Sequence, residues 1–171
     1  QLHMTDESHI LMEEQVRQRV ASAPSSAPKR RTLVFGTGSG LLARNLRRDL
    51  GDRLDLVEND LEPEIAMRNY RLALNVSSEE GSHQLMPGNI ADLSAIPDDY
   101  FDLVVSHGTL RYFILQYGRQ AVREIHRILK PGGTALIGNV PEPPKRRIIR
   151  PLVENLLTEE KIPWELKEQP L

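Results

Sequence analysis

Glycines at positions 36, 38 and 40, spaced by Thr37 and Ser39, follow directly on the apolar run Thr32-Leu33-Val34-Phe35. Glycines in such a place let a backbone turn sharply and approach a ligand closely. Leu42, Leu46 and Leu50 then recur every four residues. Run, glycines and stripe read as strand, loop and helix. A helix beginning there offers unpaired N–H groups and the positive end of its dipole to a bound group. Glu58 closes the next apolar run, Leu54-Asp55-Leu56-Val57, and lies 20 residues beyond Gly38. A carboxylate so placed can accept hydrogen bonds from both hydroxyls of a ribose. A bare strand-to-helix turn and a solvated strand-end charge are the readings without a ligand. Loop and acid together favour a nucleoside site. Its spacing is G-x-G-x-G, and Leu41 stands where a dinucleotide fingerprint would place its last glycine.

The elements that must position these residues alternate. Residues 8–20 carry helical spacing in Ile10, Met12, Val16 and Val20, and read as a surface cap or a lid. Ala21 to Pro28 is a connector of small residues and proline, expected to be flexible. Strands are predicted at 32–35, 54–57, 84–86, 102–106 and 134–138, with 162–166 a candidate sixth. Helices are predicted over 42–50 and 63–74. A further helix contains Ala121, Val122, Ile125, Ile128 and Leu129 and is stopped by Pro131-Gly132-Gly133; the last covers 148–160. Alternating strands and helices imply an open, Rossmann-like α/β sheet, mostly parallel, with helices on both faces. Residues 1–30 form an N-terminal helix and linker, and 31–171 form the ligand-binding domain. Met4 reads as a native start, so residues 1–3 are set aside as a cloning remnant.

With 171 residues the chain can bury a core without disulfides or metal staples. It has no cysteine, which excludes thiolate zinc sites and cysteine nucleophiles. Lys plus Arg is 22 against 24 for Asp plus Glu, a net charge of −2, which disfavours a general nucleic-acid binder. No apolar run approaches the ~20 residues that span a bilayer. The expected location is cytoplasmic.

Over residues 31 to about 140 the sequence resembles the class I S-adenosylmethionine-dependent methyltransferases, particularly their small-molecule branch. Val34-Phe35-Gly36-Thr37-Gly38-Ser39-Gly40 looks like that family's first motif. Glu58 matches its ribose-binding acid, with Asn59 beside it. Gly88-Asn89-Ile90-Ala91-Asp92-Leu93 resembles the segment lining the adenine, and Tyr100-Phe101-Asp102-Leu103-Val104-Val105-Ser106 the fourth strand and its approach. The most specific match is Arg123-Glu124-Ile125-His126-Arg127-Ile128-Leu129-Lys130-Pro131-Gly132-Gly133, before the fifth strand. The resemblance implies S-adenosylmethionine as cofactor. Gly36, Thr37, Gly38, Ser39 and Gly40 would shape the methionine pocket, and Glu58 and Asn59 the ribose site. Asn89 and Ile90 would hold the adenine, and Ser106, His107 and Gly108 the floor between donor and acceptor. It also implies methyl transfer to an O, N or C nucleophile of a small-molecule acceptor.

Three positions depart from the family's pattern. Val34 stands where an acid usually helps hold the cofactor's amino group, and Asn89 replaces the usual Asp. Only 32 residues follow Asn139, with six prolines among them, so part of the usual C-terminal strands is expected to be lacking.

His107 is the candidate general base, since a neutral imidazole is available near pH 7; a packing role is the alternative. Arg111 and Tyr112 lie one turn further on, able to meet substrate or solvent. His83 and His126 lack partners at metal-ligand spacing, His126 is expected on an exposed helix face, and no metal site is expected. Lys145, Arg146, Arg147 and Arg150 form a basic patch without interleaved aromatics, so a nucleic-acid platform is not indicated. A homo-oligomer or protein partner would meet the chain at the N-terminal helix or the C-terminal segment. Two rival readings stay open: a non-catalytic methyltransferase-fold binding protein or subunit, and a nicotinamide-dependent oxidoreductase, which Leu41 and Pro131-Gly132-Gly133 oppose.

Overall fold

The computed structural model describes residues 2–5, 9–24, 26–36, 41–60, 84–87, 92–107, 109–138 and 146–167. In chain order these form β1 (Leu2–Thr5), α1 (His9–Ala21), β2 (Arg30–Phe35), α2 (Leu41–Leu50), a 3₁₀ turn (Gly51–Arg53), β3 (Leu54–Asp60), β4 (Gln84–Pro87), β5 (Phe101–His107), α3 (Leu110–Ile128), β6 (Leu129–Gly138), α4 (Arg146–Glu159) and β7 (Trp164–Lys167). One seven-stranded sheet results, ordered β4-β3-β2-β5-β6-β1-β7, and every described pair is parallel. The strand order reverses between β2 and β5, which opens a crevice at their carboxyl ends.

The central strands are apolar on both faces because both faces are covered. Leu33, Phe35, Val104 and Ile137 meet Val122, Ile125 and Ile128 of α3 and Val153 and Leu157 of α4 in one layer. Val34, Leu56, Val105 and Leu136 meet Met12, Val16 and Val20 of α1 and Leu42 and Leu46 of α2 in the other. Neighbouring strand residues alternate between the two layers, as the pleat requires. The open α/β sheet predicted from the alternating pattern is therefore present. The expected helix at 63–74 lies outside the described residues.

The structure corrects the sequence reading in three places and decides it in a fourth. Leu2 and His3 are not outside the fold: they pair with Ala135 and Leu136 of β6 and with Trp164 and Glu165 of β7. An extended segment there satisfies the backbone donors and acceptors that β6 and β7 turn toward each other. α1 is a fixed cap rather than a lid: Met12, Val16 and Val20 are at most 1% exposed in the core, while Glu14 and Gln18 on its other face are exposed. The connector after it is tied down. The Arg53 guanidinium donates to the carbonyls of Val20 (2.8 Å) and Ala23 (2.9 Å), and Ala27 N–H donates to Pro24 O (2.9 Å). Finally, Pro131-Gly132-Gly133 does not stop a helix. Leu129 already pairs with Phe101, and the register then slips so that Leu103 pairs with Thr134. The three residues form a bulge inside β6, with Gly132 at φ 78. A Cβ on Gly133 would lie 2.8 Å from Lys130 O and 3.2 Å from Asp102 O, so the turn closes only around glycine.

Arg127 near the end of α3 holds the segment leading into β5. Its guanidinium donates to Leu93 O (2.9 Å), Ile96 O (2.8 Å), Asp98 Oδ1 (2.8 Å) and both oxygens of Glu124, whose carboxylate also accepts Leu93 N–H at 2.7 Å. These contacts, Arg127's hydrogen bond foremost, hold the Glu124 carboxyl below its ordinary range. Arg127→Ala strands two carbonyls and a carboxylate, and is expected to cost about 3 kcal/mol, or roughly 6–12 °C in Tm. A folded-state pKa below the unfolded one contributes stability above the unfolded value, ~4.3 for Glu, and loses it as pH falls through the folded value. Urea midpoints measured from pH 7 to pH 3 should therefore fall less steeply at the acid end for Glu124→Gln than for the parent protein.

Candidate functional site

The site is built where β2, β3 and β5 end together. Val34 pairs with Glu58 and with Val105, and Phe35 pairs with Asn59, so the three carboxyl ends are level. Beyond Phe35 the chain turns at Gly36, whose φ of +61 favours glycine. Space demands glycine as well. A Cβ there would lie 2.1 Å from Thr109 Oγ1 and 2.4 Å from its Cγ2. Thr109 Oγ1 instead donates to Gly36 O at 3.1 Å, joining the end of β2 to the start of α3.

Glu58 and Asn59 are each 2% exposed at the end of β3. An ionised carboxylate at such depth needs charged or hydrogen-bonding company. On β5, Ser106 is fully buried, and its Oγ has no hydrogen-bond partner among the described residues. The next residue, His107, is half-buried and pairs with Gly138, the last residue of β6. A Cβ on Gly138 would lie 2.3 Å from Met12 Cε and 3.2 Å from His107 Cδ2. The missing side chain thus lets α1 and His107 close over the end of β6.

Of the residues predicted to form the site, Gly36, Glu58, Asn59, Ser106 and His107 lie along this one edge. Thr37, Gly38, Ser39, Gly40, Asn89, Ile90 and Gly108 lie outside the described residues, as do His83 and Lys145. Arg111 and Tyr112 are in the first turn of α3, and Arg146, Arg147 and Arg150 at the start of α4. His126 is exposed, as its helix face predicted. Among the described residues no group of three His, Asp or Glu is placed to hold a metal, and no helix is long and apolar enough to cross a membrane. Sequence reasoning missed Thr109, Gly138 and Met12. Each acts through contacts across strands or layers, which no local spacing announces.

Val34 faces the apolar layer under α1 and α2, at 1% exposure among residues such as Met12, Val16 and Leu42. Placing a carboxylate there by Val34→Asp should cost ~3 kcal/mol or more. The ligand-induced rise in Tm should be no larger than in the parent protein. A larger rise would mean that the new carboxylate reaches the bound ligand.

The donor set fits a nucleoside-bearing cofactor: a buried acid for paired hydroxyls, a glycine turn without a side chain, and a buried hydroxyl still able to bond. A family model described as a methyltransferase domain matches residues 33–137, more than half of the chain. The ubiquinone/menaquinone biosynthesis C-methyltransferase UbiE of Vibrio vulnificus is 32% identical over 111 residues, covering 64% of this chain and 41% of its own length. The UbiE of Neisseria gonorrhoeae is 30% identical over 109 residues, covering 63% and 41%. The chain thus spans about two-fifths of the length of the curated relatives it matches. Among solved structures, the CurJ carbon methyltransferase aligns over 87% of this chain and 38% of its own, with a TM-score of 0.67 at 15% identity, a likeness of fold.

Proposed function

The chain belongs to the methyltransferase domain family, within the class I S-adenosylmethionine-dependent methyltransferases, and from that premise we propose that it transfers a methyl group to a carbon atom of a small-molecule acceptor. The observation that carries this reading is the level placement of the Gly36 turn beside buried Glu58 at the paired ends of β2 and β3. Carbon is favoured over oxygen and nitrogen because the matched relatives are named C-methyltransferases.

When bound, S-adenosylmethionine supplies a methyl group already activated on a sulfonium. The residues' work is then binding, alignment and exclusion of water. Glu58 would accept the two ribose hydroxyls, and Asn59 would support the same part of the ligand. Gly36 would let the backbone run close to the methionine portion. Ser106 would donate to, or accept from, whichever polar atom reaches the buried floor. Methylation of an unsaturated carbon leaves one C–H proton to be removed. His107, half-buried at the end of β5, is the group we assign to receive it as a neutral imidazole. Val34 contributes to the core alone, so the cofactor's ammonium would be held by other groups.

Calorimetric titration with S-adenosylhomocysteine tests the binding half of this reading. A ligand at 100 times its Kd should stabilise the protein by ~2.7 kcal/mol. Glu58→Ala should weaken binding about tenfold or more with the fold intact, because hydrogen bonds to a charged acceptor are worth ~1.5–3 kcal/mol. No binding at millimolar ligand would favour a non-catalytic member of the fold. Tritium transfer from labelled donor to a panel of small phenols, quinols and amines would then separate carbon from heteroatom acceptors.

A further inference from the structure

Thr109 sits at the N-terminal end of α3, the place where a threonine hydroxyl ordinarily caps a helix. Here it does not. Its backbone is already helical, at φ −93 and ψ −26, and its side chain makes no capping hydrogen bond. The hydroxyl is turned the other way, across the crevice at the strand reversal, and donates to Gly36 O at 3.1 Å. Gly36 is 73 residues earlier in the chain and is the residue at which the glycine loop leaves β2. The threonine's Cβ, Cγ2 and Oγ1 fill the space where a side chain on Gly36 would stand. Two residues before it is His107.

Resting on the methyltransferase reading above, we propose that Thr109 is a positioning residue that latches the donor-binding loop to the acceptor-side turn. The hydrogen bond fixes the direction of the Gly36 carbonyl, at the residue where the chain leaves β2 for the glycine loop. The same bond anchors Thr109, two residues after His107. Donor cradle and candidate base are thereby held at one separation, the requirement for aligning a methyl group with its acceptor. The latch works through Gly36, and the helix end forgoes a cap for it. A cap is worth ~0.5–2 kcal/mol, so giving it up marks the latch as a local conflict between helix stability and site geometry.

Two substitutions separate the hydroxyl from the shape. Thr109→Ser keeps the donor and loses the methyl; Thr109→Val keeps the shape and loses the donor. Calorimetry with S-adenosylhomocysteine should show Thr109→Val binding about five- to tenfold more weakly and Thr109→Ser within about twofold of the parent. Hydrogen exchange in the ligand-free protein should show faster exchange over the peptide containing residues 36–42 in Thr109→Val only. Equal affinities for Thr109→Val and the parent, or equal losses in both variants, would overturn the latch. If the parent protein fails to bind S-adenosylhomocysteine, the functional reading falls. The exchange comparison still decides whether the hydroxyl restrains the loop.

Discussion

The parallel ladder that grips β2 from both sides governs this molecule. Its backbone bonds β3 along six residue pairs and β5 along three more. Sliding β2 by one residue would break both ladders and turn every buried side chain to the opposite face. Leu33 and Phe35 would leave the layer under α3 and α4, and Val34 the layer under α1 and α2. The register is therefore fixed, and with it the level at which Gly36, Glu58 and Ser106 emerge. The core thus sets the level of the site's edge, and the contact of Thr109 with Gly36 acts on top of it.

That dependence explains how much of the fold and the site was legible in the sequence. Leu33 to Phe35, Leu54 to Val57 and Leu103 to Val105 are short apolar runs, and their burial on both faces is written in them. The parallel sheet follows from alternation with helices, and Glu58 is found by its distance from the glycines. Pairings between distant segments were not legible. Nothing in Leu2-His3-Met4-Thr5 announces that it will lie between β6 and β7. Arg53 could be read as a surface charge until it reaches the carbonyls of Val20 and Ala23. Pro131-Gly132-Gly133 has the composition of a helix stop, yet sheet pairing at Leu129 claims the chain before those residues arrive. In that bulge tertiary pairing overrides local propensity.

Buried polar groups show a second constraint. Glu13, 4% exposed in α1, accepts a hydrogen bond from Asn45 Nδ2 of α2 at 2.8 Å. One turn further along the same two helices, Arg17 meets Asp49. Both contacts span 32 residues, so α1 and α2 run side by side in the same direction. Their dipoles then repel rather than cancel, and cross-links between side chains, with the shared apolar layer, hold them together. α1 reaches the site edge in this way, with Met12 set against Gly138.

The described ion pairs are distributed unevenly over the sheet. Asp102, at the start of β5, gathers Arg31 N–H at 2.9 Å and the charges of Arg30 and Lys130. Arg127 braces the approach to the same strand, and Arg119 and Arg123 of α3 meet Glu159 and Glu160 where α4 ends. All of these lie toward the amino ends of the strands, opposite the site. Such an arrangement anchors the crossovers by charge at the amino edge. A neutral hydrogen bond is worth ~1 kcal/mol and one to a charged group roughly twice that. The charges thus hold the ends from which the central strands start, and the shared ladder carries that placement to the carboxyl ends where Gly36, Glu58 and Ser106 stand.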